Sequence, residues 1–284
     1  MSIEIKGLVK RYGPQVAVNG ISFEVQKGEI LGFLGPNGAG KSTTMKIATG
    51  FLPPTAGEVL VNGANVVTET IAAKKSIGYL PEHNPLYLDM YVKEFLSFTG
   101  SMYGMKGAPL TQSIDRVIGM TGLGQEMKKK IGALSKGYRQ RVGLAQTMVH
   151  NPPVLILDEP TTGLDPNQIV EIRNMIREIG REKTVIFSTH IMQEVQSVCS
   201  RYLIIHKGNI AAKGQIGGKT ESKIYTLETD KAVDALFLES NTLVASIQFI
   251  AKGLLEIEHV RLLHQKSKHL LPSKKLFHSH FCTL

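Results

Sequence analysis

The stretch that most limits how this chain can fold is Glu29-Ile30-Leu31-Gly32-Phe33-Leu34 running directly into Gly35-Pro36-Asn37-Gly38-Ala39-Gly40-Lys41-Ser42. The apolar run has the length and make-up of a strand buried on both faces. The octapeptide fits G-x-x-x-x-G-K-[ST], in which glycines let the backbone wrap a phosphate chain with its N–H groups turned inward. The stretch GPNGAGKSTTMKIATG reads as a glycine loop entering a helix, so the loop sits between a strand and a helix N-terminus, as phosphate binding requires. Lys41 would then reach the terminal phosphates and Ser42 a magnesium ion. Gly35, Pro36, Asn37, Gly38, Ala39, Gly40 and Thr43 complete the expected cradle.

A second segment supplies the complement. Val154-Leu155-Ile156-Leu157 is a compact apolar strand ending in Asp158-Glu159. By itself that is a common strand end. More than 100 residues after a phosphate loop, Asp158 is placed to hold Mg2+, usually through water, and Glu159 to polarise an attacking water.

Between and around these segments the pattern alternates. Short β-rich runs cover Ser2 to Val9, Gln15 to Val25, Gly57 to Val67 and Ser76 to Leu80. From about Leu88 to Gln146 apolar residues recur at spacings of three and four, for example Tyr91, Phe95 and Phe98. Pro166 opens a further helix carrying Ile169, Ile172 and Ile176. Strand-like Thr184 to Ser188 and a hairpin from Tyr202 to Lys213 follow. Strands alternating with helices imply an α/β layer fold with a largely parallel sheet.

Composition excludes several classes. With 284 residues and 42% hydrophobic content the chain can bury a core without staples, and wholesale disorder is ruled out. Two cysteines, Cys199 and Cys282, cannot make a disulfide framework, which points to a reducing compartment. The opening residues lack a signal-peptide core, and the longest apolar stretch, Val244 to Leu255, is broken by Gln248, Lys252 and Gly253. The chain is therefore expected not to cross a membrane by itself. The net charge of +9 suggests an acidic partner until it is mapped. From His259 onward there are five basic residues and no acid, which leaves +4 for the first 258 residues.

Leu134-Ser135-Lys136-Gly137-Tyr138-Arg139-Gln140-Arg141 stands just upstream of the aspartate strand. With it the sequence resembles the ATP-binding cassette (ABC) ATPases from about Ile3 to Gly214. The octamer is similar to that family's signature LSGGQ followed by RQR, with Lys136 in place of a Gly and Tyr138 in place of the Gln. The resemblance implies a P-loop NTPase core with an N-terminal antiparallel β subdomain and an inserted helical subdomain at about 88–146. It implies that Ser135 and Gly137 contact the γ-phosphate of ATP bound to the opposite subunit. It further implies that Tyr12 stacks on adenine, that Gly163-Leu164-Asp165 crosses the dimer interface, and that His190 senses the γ-phosphate. Glu82 occupies a place where most members carry Gln, a residue that touches Mg2+ and water and couples to the membrane subunit.

The expected function follows from that likeness. It is an ATPase subunit that forms a head-to-tail homodimer around two Mg-ATP and drives a separate permease. Its place would be cytoplasmic, on the inner face of a bacterial cell membrane. The stretches IGYLPEHNPLYLDMYVKEF and LSKGYRQRVGLAQ are similar to export-type members, specifically gliding-motility-associated subunits. The alternative is a soluble ABC ATPase acting on ribosomes or nucleic acid. A single phosphate loop and no sustained heptads argue against it, so no nucleic-acid partner is expected. A non-hydrolysing structural subunit is disfavoured because Lys41, Asp158, Glu159 and His190 are all present.

The domain expectation is an ABC ATPase domain over 1–218, a small extension over 219–258, and a basic tail over 259–284. The extension holds strand-like KIYTLET and SIQFIA and a helix from Lys231 to Leu238. The tail reads as a disordered segment, a surface helix near acidic lipid, or a stretch translated in a shifted frame. His278 and His280 lack the spacing of a metal site.

Overall fold

The computed structural model describes residues 1–216, 224–228, 246–251 and 254–258. It opens with β1 (Ile3–Tyr12) and β2 (Gln15–Val25), an antiparallel pair that runs to Tyr12 opposite Gln15. β2 matches the expected run and β1 reaches further, to Tyr12, because a two-residue Gly13-Pro14 turn keeps the ladder closed over exposed residues. The chain then forms β3 (Ile30–Leu34), α1 (Lys41–Ala48), β4 (Ala56–Val61) and a short β5 (Ala64–Asn65). Next come α2 (Thr70–Lys75), β6 (Ile77–Leu80), α3 (Val92–Met102), α4 (Gly107–Thr121) and α5 (Lys136–Met148). They are followed by β7 (Val154–Asp158), α6 (Pro166–Gly180), β8 (Thr184–Thr189), α7 (Met192–Val198), β9 (Arg201–His206) and β10 (Asn209–Gln215).

Two sheets result. One is antiparallel in the order β2-β1-β4-β5. The other has the order β10-β9-β3-β8-β7-β6 and is parallel except for β10 on β9. The fold is thus α/β, with a mostly parallel sheet and a separate antiparallel one. Residues of the parallel strands alternate between two cores, as the two-residue period of a strand demands. Leu155, Leu157, Val185 and Phe187 face a core built on α3, α4 and α5, which includes Phe95, Leu96, Val117, Val142 and Met148. Val154, Ile156 and Ile186 face a second core with Met45 and Ile47 of α1 and with Ile3, Ile5 and Val61 of the antiparallel sheet.

Caps explain where the helices begin and end. Ser135 accepts a bond from Tyr138 N at the head of α5, and Asp165 accepts one from Gln168 N at the head of α6, with Pro166 in the first turn. Gly122 ends α4 in the left-handed region.

The chain divides into two compact units, Met1–Gly217 and Gly218–Leu284. In the second unit β11 (Ile224–Glu228), β12 (Ser246–Ala251) and β13 (Leu254–Glu258) form an antiparallel sheet in the order β11-β13-β12. The expected helix over Lys231 to Leu238 and the basic tail lie outside the described residues.

One half-buried titratable group sits just beyond α5. The His150 ring stacks flat on Tyr103, with centroids 3.7 Å apart, and its Nε2 lies 3.0 Å from the Ile77 carbonyl. A carbonyl only accepts, so Nε2 carries the hydrogen, and Nδ1 is buried without a partner. Burial pushes this imidazole down to about 4; nearby Lys183 adds to the effect and the Ile77 bond opposes it. The unfolded chain therefore binds this proton from about pH 6.5 downward, whereas the folded chain refuses it until about pH 4. Stability from this group is intact above pH 6.5 and falls toward pH 4. In urea melts the His150→Phe variant should lose less stability across that window than the wild type. Parallel losses would show that His150 is not the coupled group.

Candidate functional site

The parallel register brings three loop ends together. Leu34 lies opposite Thr189 and Asp158 opposite Ser188, so the loop after β3, the end of β7 and the end of β8 share one edge of the sheet. Ligands of such sheets bind at the carboxyl ends of the strands.

The glycine loop is held from several sides. Gly35 N donates to Thr189 O at 3.3 Å, and Gly208 N donates to Ala39 O at 2.9 Å. Gly40 has φ +109, and a Cβ there would stand 2.5 Å from the Ala17 carbonyl. Only glycine meets both demands. Pro36, Asn37 and Gly38 are exposed, whereas Lys41 is 5% exposed at the first turn of α1. Ser42 and Thr43 follow in that turn, half-buried.

Lys41 Nζ donates to Gly35 O at 2.7 Å and to Pro36 O at 3.3 Å, and stands 3.2 Å from Glu159 Oε1. That last approach is a charge contact rather than a hydrogen bond, since the buried Oε1 has no aligned donor. Glu159 itself has φ +50, a costly conformation for a residue with a side chain, of about 1–3 kcal/mol. Its N–H is fixed by Ser188, bonding to the carbonyl at 3.2 Å and to Oγ at 3.1 Å. Its other oxygen, Oε2, lies 2.9 Å from His190 Nδ1 and accepts from Thr162 Oγ1 at 3.3 Å. Ser188 Oγ in turn donates to Asp158 Oδ1 at 2.6 Å. Asp158 and Glu159 are both buried, and His190 is about half exposed.

These groups fit a phosphate chain. A cation and the positive end of a helix converge, no acidic side chain lies in the first turn of α1, and its N–H groups have no side-chain cap. Magnesium fits through Ser42 and Asp158, since that ion is usually bound by one or two carboxylates together with substrate phosphates and water. Among the described residues no three His, Cys, Asp or Glu side chains cluster as a site of their own.

The other expected residues lie apart from this knot. Tyr12 is 46% exposed at the end of β1, with Lys10 Nζ 5.3 Å over its ring. Glu82 is exposed in the loop after β6. Burial raises the Tyr79 phenol above its usual range, and Asp158 and Glu82 add to the shift. Ser135 and Gly137 stand at the head of α5, which comes close to α6 there: a Cβ on Gly137 would meet the Gln168 side chain. No described bond joins Ser135 or Gly137 to the phosphate loop. Sequence reasoning missed Ser188, Thr162 and the Thr189 carbonyl. Ser188 and Thr189 read only as the end of a strand, though their place opposite Asp158 and Leu34 is a matter of register.

A glycine loop on β3, a buried Asp-Glu pair on β7 and a histidine turn on β8 define a P-loop ATPase. The chain belongs to the ABC transporter ATP-binding subunits: the ABC transporter family model matches residues 18–162. A second model, an AAA domain described as a putative AbiEii toxin of a type IV toxin–antitoxin system, matches residues 130–195. The chain is 35% identical over 250 residues to the uncharacterized ABC transporter ATP-binding protein YxlF of Bacillus subtilis, covering 87% of this chain and 83% of that one. It is 39% identical to the linearmycin resistance ATP-binding protein LnrL of the same organism (77% and 70% covered). To the Nod factor export ATP-binding protein I of Burkholderia lata it is 37% identical (78% and 73% covered). A solved ATP-binding subunit of an ABC transporter superposes with TM-score 0.69 at 29% identity, covering 76% of this chain and 90% of that one.

Ser188 supports two buried acidic groups at once. Ser188→Ala should lower steady-state ATP turnover about 10-fold or more while fluorescent-nucleotide binding persists. Turnover at the wild-type rate would show that the serine does not position them.

Proposed function

We propose that this chain is the ATP-hydrolysing subunit of an exporter, working as a head-to-tail homodimer that drives a separate membrane permease. The observation that carries the reading is Glu159, buried beside the phosphate loop and held between Lys41 and His190. A carboxylate fixed there can orient and polarise a water toward the terminal phosphate, while Lys41 and His190 face the charge that develops on it. Ser42, Asp158 and Glu82 are the residues that would hold Mg2+, which when bound would neutralise charge on the phosphates. The remaining cradle residues Gly35, Pro36, Asn37, Gly38, Ala39, Gly40 and Thr43 wrap the phosphate chain, and Tyr12 receives the adenine.

Ser135 and Gly137 have no described bond to their own chain's phosphate loop, which suits a role toward the partner's ATP. The head of α5 offers free N–H groups for that purpose. Export is supported by the names of the linearmycin resistance and Nod factor export relatives. The finer likeness to gliding-motility subunits rests on two sequence stretches alone. Among the described residues no helix is long and apolar enough to cross a membrane, which is consistent with a substrate path supplied by another chain. A shallow, mostly apolar depression lined by Leu86, Tyr87, Leu88, Asp89, Met90 and Phe98, with Glu82 earlier in the same loop, supports the view that the permease docks there. We assign 1–218 to the ATPase, 219–258 to a small extension and 259–284 to a basic tail, with the protein on the cytoplasmic face of the membrane.

Glu159→Gln should bind ATP, form an ATP-dependent dimer in light scattering, and turn over about 100-fold more slowly or worse. Hydrolysis at the wild-type rate would sink the role assigned to Glu159. Affinity purification should bring down a polytopic membrane protein; ribosomes or nucleic acid in its place would overturn the transport reading.

A further inference from the structure

Glu194 is 0% exposed and lies outside the site as described so far. Burying a carboxylate is unfavourable unless its charge and lone pairs are matched. Here Oε1 accepts from Arg173 of α6 at 3.1 Å, and Oε2 accepts from Thr189 Oγ1 at 2.6 Å. A carboxylate only accepts, so the Thr189 hydroxyl proton must point at Glu194. That leaves its oxygen free to accept Ile191 N–H at 3.1 Å. Thr189 is itself fully buried, and its carbonyl accepts Gly35 N–H from the phosphate loop.

The consequence falls on His190. Only His190 and Ile191 separate the end of β8 from the start of α7. The His190 side chain is 47% exposed, and the one described bond it makes is to Glu159. Its position is therefore set by the backbone arc on which it rides, and the Thr189 hydroxyl closes that arc. Arg173 belongs to α6, the helix that Asp165 caps just after the Gly163-Leu164 turn.

We propose that Glu194 is a positioning residue for ATP hydrolysis, fixing the His190 arc through Thr189 and tying it to α6 through Arg173. The inference rests on the hydrolytic reading of Glu159 and His190. It makes Glu194 the point at which movement of α6, and of the turn at its head, would be felt by His190.

The test pairs near-isosteric changes in the full-length protein, with kcat, ATP affinity and thermal midpoint measured for each. Thr189→Val removes the hydroxyl and Thr189→Ser keeps it; Glu194→Leu removes the acceptor and Glu194→Gln keeps it. The Val and Leu variants should lose about 10-fold or more in kcat while ATP affinity stays within about twofold. The Ser and Gln variants should recover turnover to within about threefold of wild type, and the Val/Leu double variant should be no slower than the worse single one. The proposal is overturned by any of three results: a Val or Leu variant within about twofold of wild type, multiplying losses in the double variant, or affinity falling in step with kcat. Should Glu194→Leu fail to fold, the Thr189 pair decides alone. Glu159→Gln is assayed alongside: if it hydrolyses normally, the hydrolytic reading fails, and if only it is slow, Glu194 alone is refuted.

Discussion

The parallel register of β3, β8 and β7 carries the rest of the molecule. With Leu34 opposite Thr189 and Asp158 opposite Ser188, three loop ends meet at one edge of the sheet. A slip of one residue in β8 would turn Ser188 into the core that Phe187 now fills, and would strip both Asp158 and Glu159 N–H of their partner. The register is enforced from both faces, because Val185 and Phe187 pack on the helical core while Ile186 packs on the other. Packing on the apolar residues thus sets the geometry of polar ones one to four positions away.

Around that edge, charge is buried in matched pairs. Lys41 stands against Glu159, and Arg173 against Glu194, with Asp158 bonded to Ser188. Such pairs are weak evidence for stability, since each buried ion must first be desolvated. Their value here lies in direction: both Glu194 oxygens, Glu159 Oε2 and Asp158 Oδ1 each accept from a particular donor elsewhere in the chain, and Glu159 Oε1 faces the Lys41 ammonium. A side chain so constrained retains its orientation when a phosphate charge arrives beside it, which is what preorganised catalysis asks for.

The parts legible in the sequence are those in which a single stretch of backbone carries the requirement. Gly40 must be glycine for its φ and for its approach to Ala17, so the loop announces itself by composition. The apolar strand of β7 ending in Asp158-Glu159 is likewise local. Ser188, Thr189 and Glu194 are different, because TVIFST and MQEV are ordinary strand and helix text whose meaning comes from what lies across the sheet. The extent of β1 to Tyr12 and the short α2 were missed for the same reason: exposed ladder residues and a helix with one buried residue carry almost no apolar pattern.

The departures from the family signature can be judged by what the replacing residues touch. The Lys136 ammonium lies against the Gly163 turn, where a Cβ on Gly163 would collide with it, and the Tyr138 ring sits 5.1 Å from the Arg141 guanidinium. Neither side chain blocks the head of α5: Ser135 still caps it, and Gly137 still makes the close approach to Gln168 that a side chain would prevent. Two residues that break the signature therefore leave its backbone in place, and Lys136 adds a positive charge next to the turn that leads into α6. Since Arg173 at the middle of that same helix holds Glu194, the departure at position 136 touches the turn ahead of α6 and the buried carboxylate behind His190 touches its middle. In this chain α6 is the element through which the signature helix and the histidine arc can influence each other.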